Sequence, residues 1–386
     1  MSARPLLALC AFACVLPACG GSGTTSPPTH RATPTPSPAP SATATGSASP
    51  SATPTATAKP SATPTATAKP SATPTPLPSS NIIVANLDRP SITVYAPNPA
   101  GNLNEAPLAT IYGGNTQLSN PEGLTADAAG RIYVVANTVS NYSIEVFAAN
   151  PSGTLNEAPI ATITGNSTGL NIPAGVALDA SGRIYVSNDG GTPSITVYAA
   201  NPSGTLNEAP LATIAGTNTF LSDPIGLTVD ASGNIYVANE GGSILVYPPI
   251  PALGGTLNEM PTAVISGPAT GLRTPYDVAL DATGKIYVAD STGGSSGSGA
   301  IDVFAANPSG FIAPAPLASI TGSSTALNGP GFLILDAAGK IYVTDAAAQS
   351  IFVYAANPSG TLNEAPLATI TGNTTGLLAP YGIYVH

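Results

Sequence analysis

The sequence predicts an all-β fold, a six-bladed β-propeller of four-stranded antiparallel blades. Three observations lead there. A unit opening with Pro-x-Gly recurs at Pro121, Pro173, Pro224, Pro275, Pro330 and Pro380, at spacings of 52, 51, 51, 55 and 50 residues. Each complete unit carries four apolar runs of four to six residues, too short for helices and rich in β-branched and aromatic side chains. The partial units at the two ends of residues 81–386 complete each other. The C-terminal strand is therefore expected to join the N-terminal blade and close the ring.

The elements read in order from the unit at Pro173. Its first run is Gly175-Val176-Ala177-Leu178, its second Arg183-Ile184-Tyr185-Val186-Ser187, its third Ser194-Ile195-Thr196-Val197-Tyr198, its fourth Leu211-Ala212-Thr213-Ile214. Asp179-Ala180-Ser181-Gly182 joins the first two, and Asp127, Asp230, Asp281 and Asp336 recur likewise with glycine three residues on. Aspartate can cap such a turn through its side chain while glycine supplies the positive φ, so these carboxylates are structural. Asn-Pro-Ser-Gly-Thr-Leu-Asn-Glu-Ala-Pro links the third and fourth runs from Asn201, and again from Asn150 and Asn357. The leucine and alanine inside this polar loop predict that it folds back on its blade. Two units vary the opening: Asp277 replaces the glycine, and Gly331-Phe332 is displaced by one residue.

Residues 81–113 supply second, third and fourth strands (Asn81–Ala85, Ser91–Tyr95, Leu108–Ile111) without a first. The segment from Pro380 to His386 matches a first strand with nothing after it. Five whole blades and one shared blade follow.

The run from Pro173 to Asn188, Pro-x-Gly-Val-Ala-Leu-Asp-x-x-Gly-x-Ile-Tyr-Val-x-Asn, resembles the NHL repeat, and the resemblance covers residues 81–386. It implies the propeller fold but not one activity, because NHL-like propellers include binding platforms, lyases and hydrolases. Lyases of the virginiamycin type on this fold rely on a histidine. Here the only histidines are His30 and the terminal His386, so that activity is not expected.

Ahead of the propeller the chain divides into residues 1–19 and 20–80. Arg4 followed by an apolar run from Leu6 to Val15 has the layout of a secretory signal. The Leu16-Pro17-Ala18-Cys19-Gly20 that follows resembles a bacterial lipobox, which implies lipidation of Cys19. Residues 20–80 are nearly all Pro, Ser, Thr, Ala and Gly, with a ten-residue unit repeated from Ser51 and Ser61. Such a segment has too little apolar surface to offset the entropy of ordering, so a disordered, extended linker is expected. Together these features predict export across the cytoplasmic membrane and attachment to the cell envelope through the lipid alone.

All twenty acidic residues lie beyond residue 80, with six basic ones. About fourteen net negative charges make nucleic acid an unfavourable partner. The three cysteines, Cys10, Cys14 and Cys19, all precede the propeller, which leaves it no nucleophilic thiol, disulfide or Cys/His zinc set.

Candidate ligand contacts gather where the loops after strands two and four share one face. Residues following strand two form a ring of Asn86, Asn137, Asn188, Asn239, Asp290 and Asp345, beside the variable residues of Pro-x-Gly. Recurrence in every blade favours a structural role for the ring, since Asn and Asp suit turns and bond backbone. Glu122, Tyr276 and Tyr381 break the symmetry and are the preferred contacts. If a hard cation such as calcium is bound, Glu122, Asn188, Asn239 and Asp290 are the ligand set, similar in kind to that of gluconolactonase-like propellers. The expected function is a tethered, monomeric binding or scaffold module, without catalytic residues or cofactor, for an extracellular protein, peptide or glycan. The alternative is a metal-dependent, lactonase-like hydrolase.

Overall fold

The computed structural model describes residues 81–137, 141–251, 254–294 and 297–385. The segment around Cys19 that resembles a lipobox and the Pro/Ser/Thr/Ala segment lie outside them. Six sheets form a ring. Blade 1 combines Pro380–Val385, innermost, with Ile82–Asn86, Ser91–Tyr95 and Ala109–Tyr112. Blades 2 to 6 begin with the inner strands Pro121–Ala126, Pro173–Leu178, Pro224–Val229, Pro275–Leu280 and Pro330–Leu335. The expected closure is present: Ile82 pairs with Val385 and Val84 with Ile383, antiparallel.

The blades have five strands, not four. The fifth is a parallel, three-residue outer strand donated by the following blade. Gly204–Leu206 of blade 3 pairs with Ala161–Ile163 of blade 2, and Gly153–Leu155 of blade 2 with Ala109–Ile111 of blade 1. Gly101–Leu103 of blade 1 pairs with Ala368–Ile370 of blade 6, so the ring is closed a second time. The polar connector therefore folds onto the preceding blade rather than its own. Its Gly-Thr-Leu looks like loop because it is short and opens on a positive-φ glycine (Gly204, φ 64°). Parallel pairing also needs a partner strand that only the ring brings alongside.

The asparagine after that strand explains the connector's near-identity. Asn207 Oδ1 accepts from the Ser167 amide at 2.9 Å, and Asn258 from Asn218 at 2.9 Å, across successive seams. Gly165 and Gly216 (φ 109° and 120°) leave room for these amides; a Cβ there would lie 2.6 Å from the asparagine Cγ. Blade 5 departs from the pattern, with Phe311-Ile312-Ala313 in place of Thr-Leu-Asn.

Hydrophobic side chains pack between facing sheets. Ile83, Ile92 and Ile111 of blade 1 meet Leu124, Ile132 and Val134 of blade 2, all buried. Each such side chain contributes about 1.5–3 kcal/mol by leaving water. Tyrosines ending strand three fasten the seams: Tyr95 donates to Thr375 O at 2.7 Å, and Tyr198 to Thr168 O at 2.8 Å. The Asp-x-x-Gly turns behave as expected. Asp179 Oδ1 accepts from the Ser181 and Arg183 amides, both at 2.9 Å, and its Oδ2 from Arg183 Nε at 2.6 Å.

Candidate functional site

Each inner strand carries a register shift just after its proline. A bulge re-aims the residue it displaces. Ala174, Ile225, Tyr276, Phe332 and Tyr381, from five different blades, share one buried cluster. Tyr276 and Phe332 stand edge to face at 5.7 Å, and Tyr276 and Tyr381 at 6.0 Å. Phe332 is the aromatic contributed by blade 6, whose residue after proline is Gly331. The preferred contacts Tyr276 and Tyr381 are thus 8% and 6% exposed, inside an aromatic plug. Glu122 is half-buried, and its Oε1 accepts from Asn137 Nδ2 at 3.0 Å.

The polar ring is present in five blades. Asn86, Asn188, Asn239, Asp290 and Asp345 are buried and pair with the prolines at positions 380, 173, 224, 275 and 330. Asn137 is a correction. Strand Ile132–Asn137 is one residue longer than its counterparts, so Ala136 pairs with Pro121 and Asn137 falls one step beyond the ring. Its Nδ2 donates to Pro173 O at 2.9 Å as well as to Glu122.

The ring oxygens face backbone amides. Asn188 Oδ1 accepts from Asn171 N at 3.0 Å and Asn239 Oδ1 from Ser222 N at 2.9 Å. Asp290 accepts from Arg273 N and Thr274 N, both at 2.8 Å; Asp345 accepts from Asn328 N at 2.6 Å and Ala348 N at 2.9 Å. Each side chain thereby holds the loop leading into its own blade. Glu122, Asn188, Asn239 and Asp290 sit on four blades, each engaged with its own neighbours. Among the described residues no three His, Cys, Asp or Glu side chains are gathered for a metal ion.

Beyond the plug, toward the Asp-x-x-Gly turns, lies a cavity of about 260 Å³. All six inner strands line it, Leu124, Val176, Leu227, Val278, Leu333 and Ile383 among their residues. Thr125, Leu178, Thr228, Ile334 and Tyr384 of its wall are half-buried, which places its entrance on the turn face.

Asp277 is the one carboxylate in that wall. It stands where blades 2, 3, 4 and 1 have Gly123, Gly175, Gly226 and Gly382. Those glycines are packed against the backbone or side chain of the next inner strand, and a Cβ on Gly226 would run into the Asp277 carboxyl. Asp277 Oδ2 accepts from Leu333 N at 2.9 Å, crossing from blade 5 to blade 6. Two other seams use hydroxyls instead: Ser187 bonds Ile225 O between blades 3 and 4, and Thr344 bonds Tyr381 O at 2.6 Å between blades 6 and 1. Burial pushes the Asp277 carboxyl up to about 7, against the bonds from Leu333 and Val278. The sequence signal for this residue was visible, an aspartate in a glycine column, but its direction was not.

Two further carboxylates are buried in strand three. Burial raises Glu145, opposed by bonds from Thr162 and Ser143. Burial takes Asp302 up to about 6, opposed by Ser319 and reinforced by the charge of Asp290. A separate departure is exposed: Phe220 and Phe311 meet edge to face at 5.6 Å, with Phe220 at φ 60°. Gly169, Gly271 and Gly376 occupy the same left-handed position in other blades.

No protein-family model matches the chain, and no curated protein matches its sequence. Solved structures do resemble it. A Bacteroides caccae protein of unknown function is 11% identical, with TM-score 0.51, over 79% of this chain and 98% of that one. The nidogen/laminin complex contains a chain 14% identical, with TM-score 0.48, over 79% and 98%. The PQQ-bound aldose sugar dehydrogenase of Streptomyces coelicolor is 16% identical, with TM-score 0.41, over 71% and 95%. At such identities the Bacteroides likeness speaks to the fold alone.

Proposed function

We propose that this chain is a lipid-anchored, extracytoplasmic binding propeller of the NHL type that takes its ligand at the central channel. The single observation that carries this reading is where the repeats differ. Tyr276, Asp277, Phe332 and Tyr381 depart from the repeat; the three aromatics share one cluster drawn from several blades, and Asp277 and Phe332 line the cavity beside it. Repetition is sufficient for folding, so departures concentrated at a concave site point to recognition. The ring oxygens, already engaged with backbone amides, favour binding over metal-dependent hydrolysis. The partner is an extracellular protein, peptide or glycan.

The test is capture of envelope and extracellular components by the protein and by its Thr228→Trp variant, which fills the channel wall. Partners retained by the first and lost by the second support the reading. Equal capture by both removes the channel from it. For the anchor, Cys19→Ser is expected to release the protein into the soluble fraction; persistent membrane association would overturn lipidation.

A further inference from the structure

We propose that the cavity beside Asp277 binds a primary alkylammonium group, carried by a free small amine or by a lysine side chain of a partner protein. The proposal rests on the channel being the binding site and adds the chemistry of what enters it.

The wall presents one carboxyl group beside leucine and valine side chains. Asp277 is 6% exposed, and Leu124, Val176, Leu227 and Leu333 surround the same space. The ionised carboxylate is costly in such a place, so it either takes up a proton or gains a counter-charge. Its bonds to the Leu333 and Val278 amides supply partial compensation but no charge. Glycine serves the same position in four blades, so the fold does not require a carboxylate there.

The geometry selects among cations. A calcium ion takes about six to eight oxygens, which one carboxylate cannot approach. A guanidinium is best met by two free carboxylate oxygens side by side, and Oδ2 is engaged by Leu333. An ammonium is a compact charge on an apolar stem, and the stem can lie along leucine and valine. At about 260 Å³ the cavity is near the lower end of ordinary ligand pockets, which run from about 300 Å³. A chain of a few methylenes fits that scale.

The test titrates the full chain with n-butylammonium chloride, with n-butanol as neutral control and a short lysine-bearing peptide as second source. Binding is followed by calorimetry and by the Leu333 and Val278 amide resonances. Saturable binding that moves both amides, at least about tenfold weaker in Asp277→Asn, is expected, with no shift from n-butanol. Competition by the peptide assigns the site to a partner's lysine; no competition assigns it to a free amine. Absence of binding to the folded protein, or equal binding by Asp277→Asn, overturns the proposal. Thr228→Trp, whose change lies on another strand, is expected to block the amine as well. If partner capture depends on Thr228 while the amine does not bind, the channel reading stands and the ammonium chemistry falls.

Discussion

Asn104 and Thr374, 270 residues apart, are joined across the seam between blades 1 and 6. The Thr374 amide donates to Asn104 Oδ1 at 3.0 Å, and the Thr374 hydroxyl donates to Asn104 O at 2.7 Å. The chain crosses this seam as it does the others, from Ile370 to Pro380, but the strand it enters is joined to the rest of blade 1 only by pairing with Ile82–Asn86, so the three N-terminal strands that carry Asn104 are held by pairing and side-chain bonds. Asn104→Ala is expected to cost about 1 kcal/mol and to raise the unfolding rate. Asn207→Ala, the same change at an internal seam, is expected to raise it less. Urea unfolding kinetics of the two variants give the comparison.

Two glycines separate backbone conformation from crowding. Gly101 has φ 66° and open space around its Cβ position, so Gly101→Ala costs only the left-handed penalty, about 1 kcal/mol. Gly175 has no such φ, but a Cβ there overlaps the carbonyl of Ile225 on the next inner strand. Gly175→Ala is expected to cost more than about 3 kcal/mol, because six inner strands converge and none can retreat. Thermal melts distinguish the two.

Asp277 gives stability a direction with pH. Its folded-state value, about 7, lies above the ordinary aspartate value of 3.8. The folded state therefore keeps a proton that the unfolded chain has released. The contribution is fully present at pH below the unfolded value and is lost as pH rises toward 7. Asp302, at about 6, acts in the same sense. Asp277→Asn is expected to stabilise the protein at pH 8 by a few kcal/mol and to flatten its melting temperature between pH 5 and 8. A variant less stable at pH 8 than the parent would contradict this.

The ring side chains are expected to act as loop clamps. Asp345→Asn keeps one acceptor oxygen where the carboxylate meets the Asn328 and Ala348 amides with two, and is expected to cost about 1 kcal/mol. Asp345→Ala leaves the Asn328 and Ala348 amides unpaired and is expected to cost about 1–3 kcal/mol. Calcium should leave the melting temperature of the parent unchanged; an upward shift would restore the metal reading, since a ligand of the folded state stabilises it.

Phe220 and Phe311 replace smaller residues at two positions 91 apart in sequence and touch. A double-mutant cycle with Phe220→Gly and Phe311→Thr is expected to return a coupling of about 1 kcal/mol. Phe220→Gly alone also relieves the left-handed backbone and so costs less than Phe311→Thr.

Blade count, the order of the four antiparallel strands and ring closure were legible in the sequence, because each depends on local periodicity repeated six times. The Asp179 turn was equally legible, since its bonds span four residues. Asn137 was misplaced because one extra residue in Ile132–Asn137 shifts the pairing, and composition does not register a one-residue shift. The plug of Tyr276, Phe332 and Tyr381 stayed hidden for a related reason. Adjacent blades lie about fifty residues apart in the chain, and only the bulge after each proline turns these side chains to a common axis.

By itself the sequence determined that this protein is a ring of repeats, sealed by its own C-terminal strand. Strand propensity, turn chemistry and alternation are local, and duplication averaged out their ambiguity. Tertiary structure alone decided that Gly-Thr-Leu crosses to the neighbouring blade as a fifth strand, that the polar ring faces amides, and that Asp277 lines the cavity inside the ring. Each of those depends on which blade stands alongside, a relationship created when the ring closes and absent from any stretch of chain.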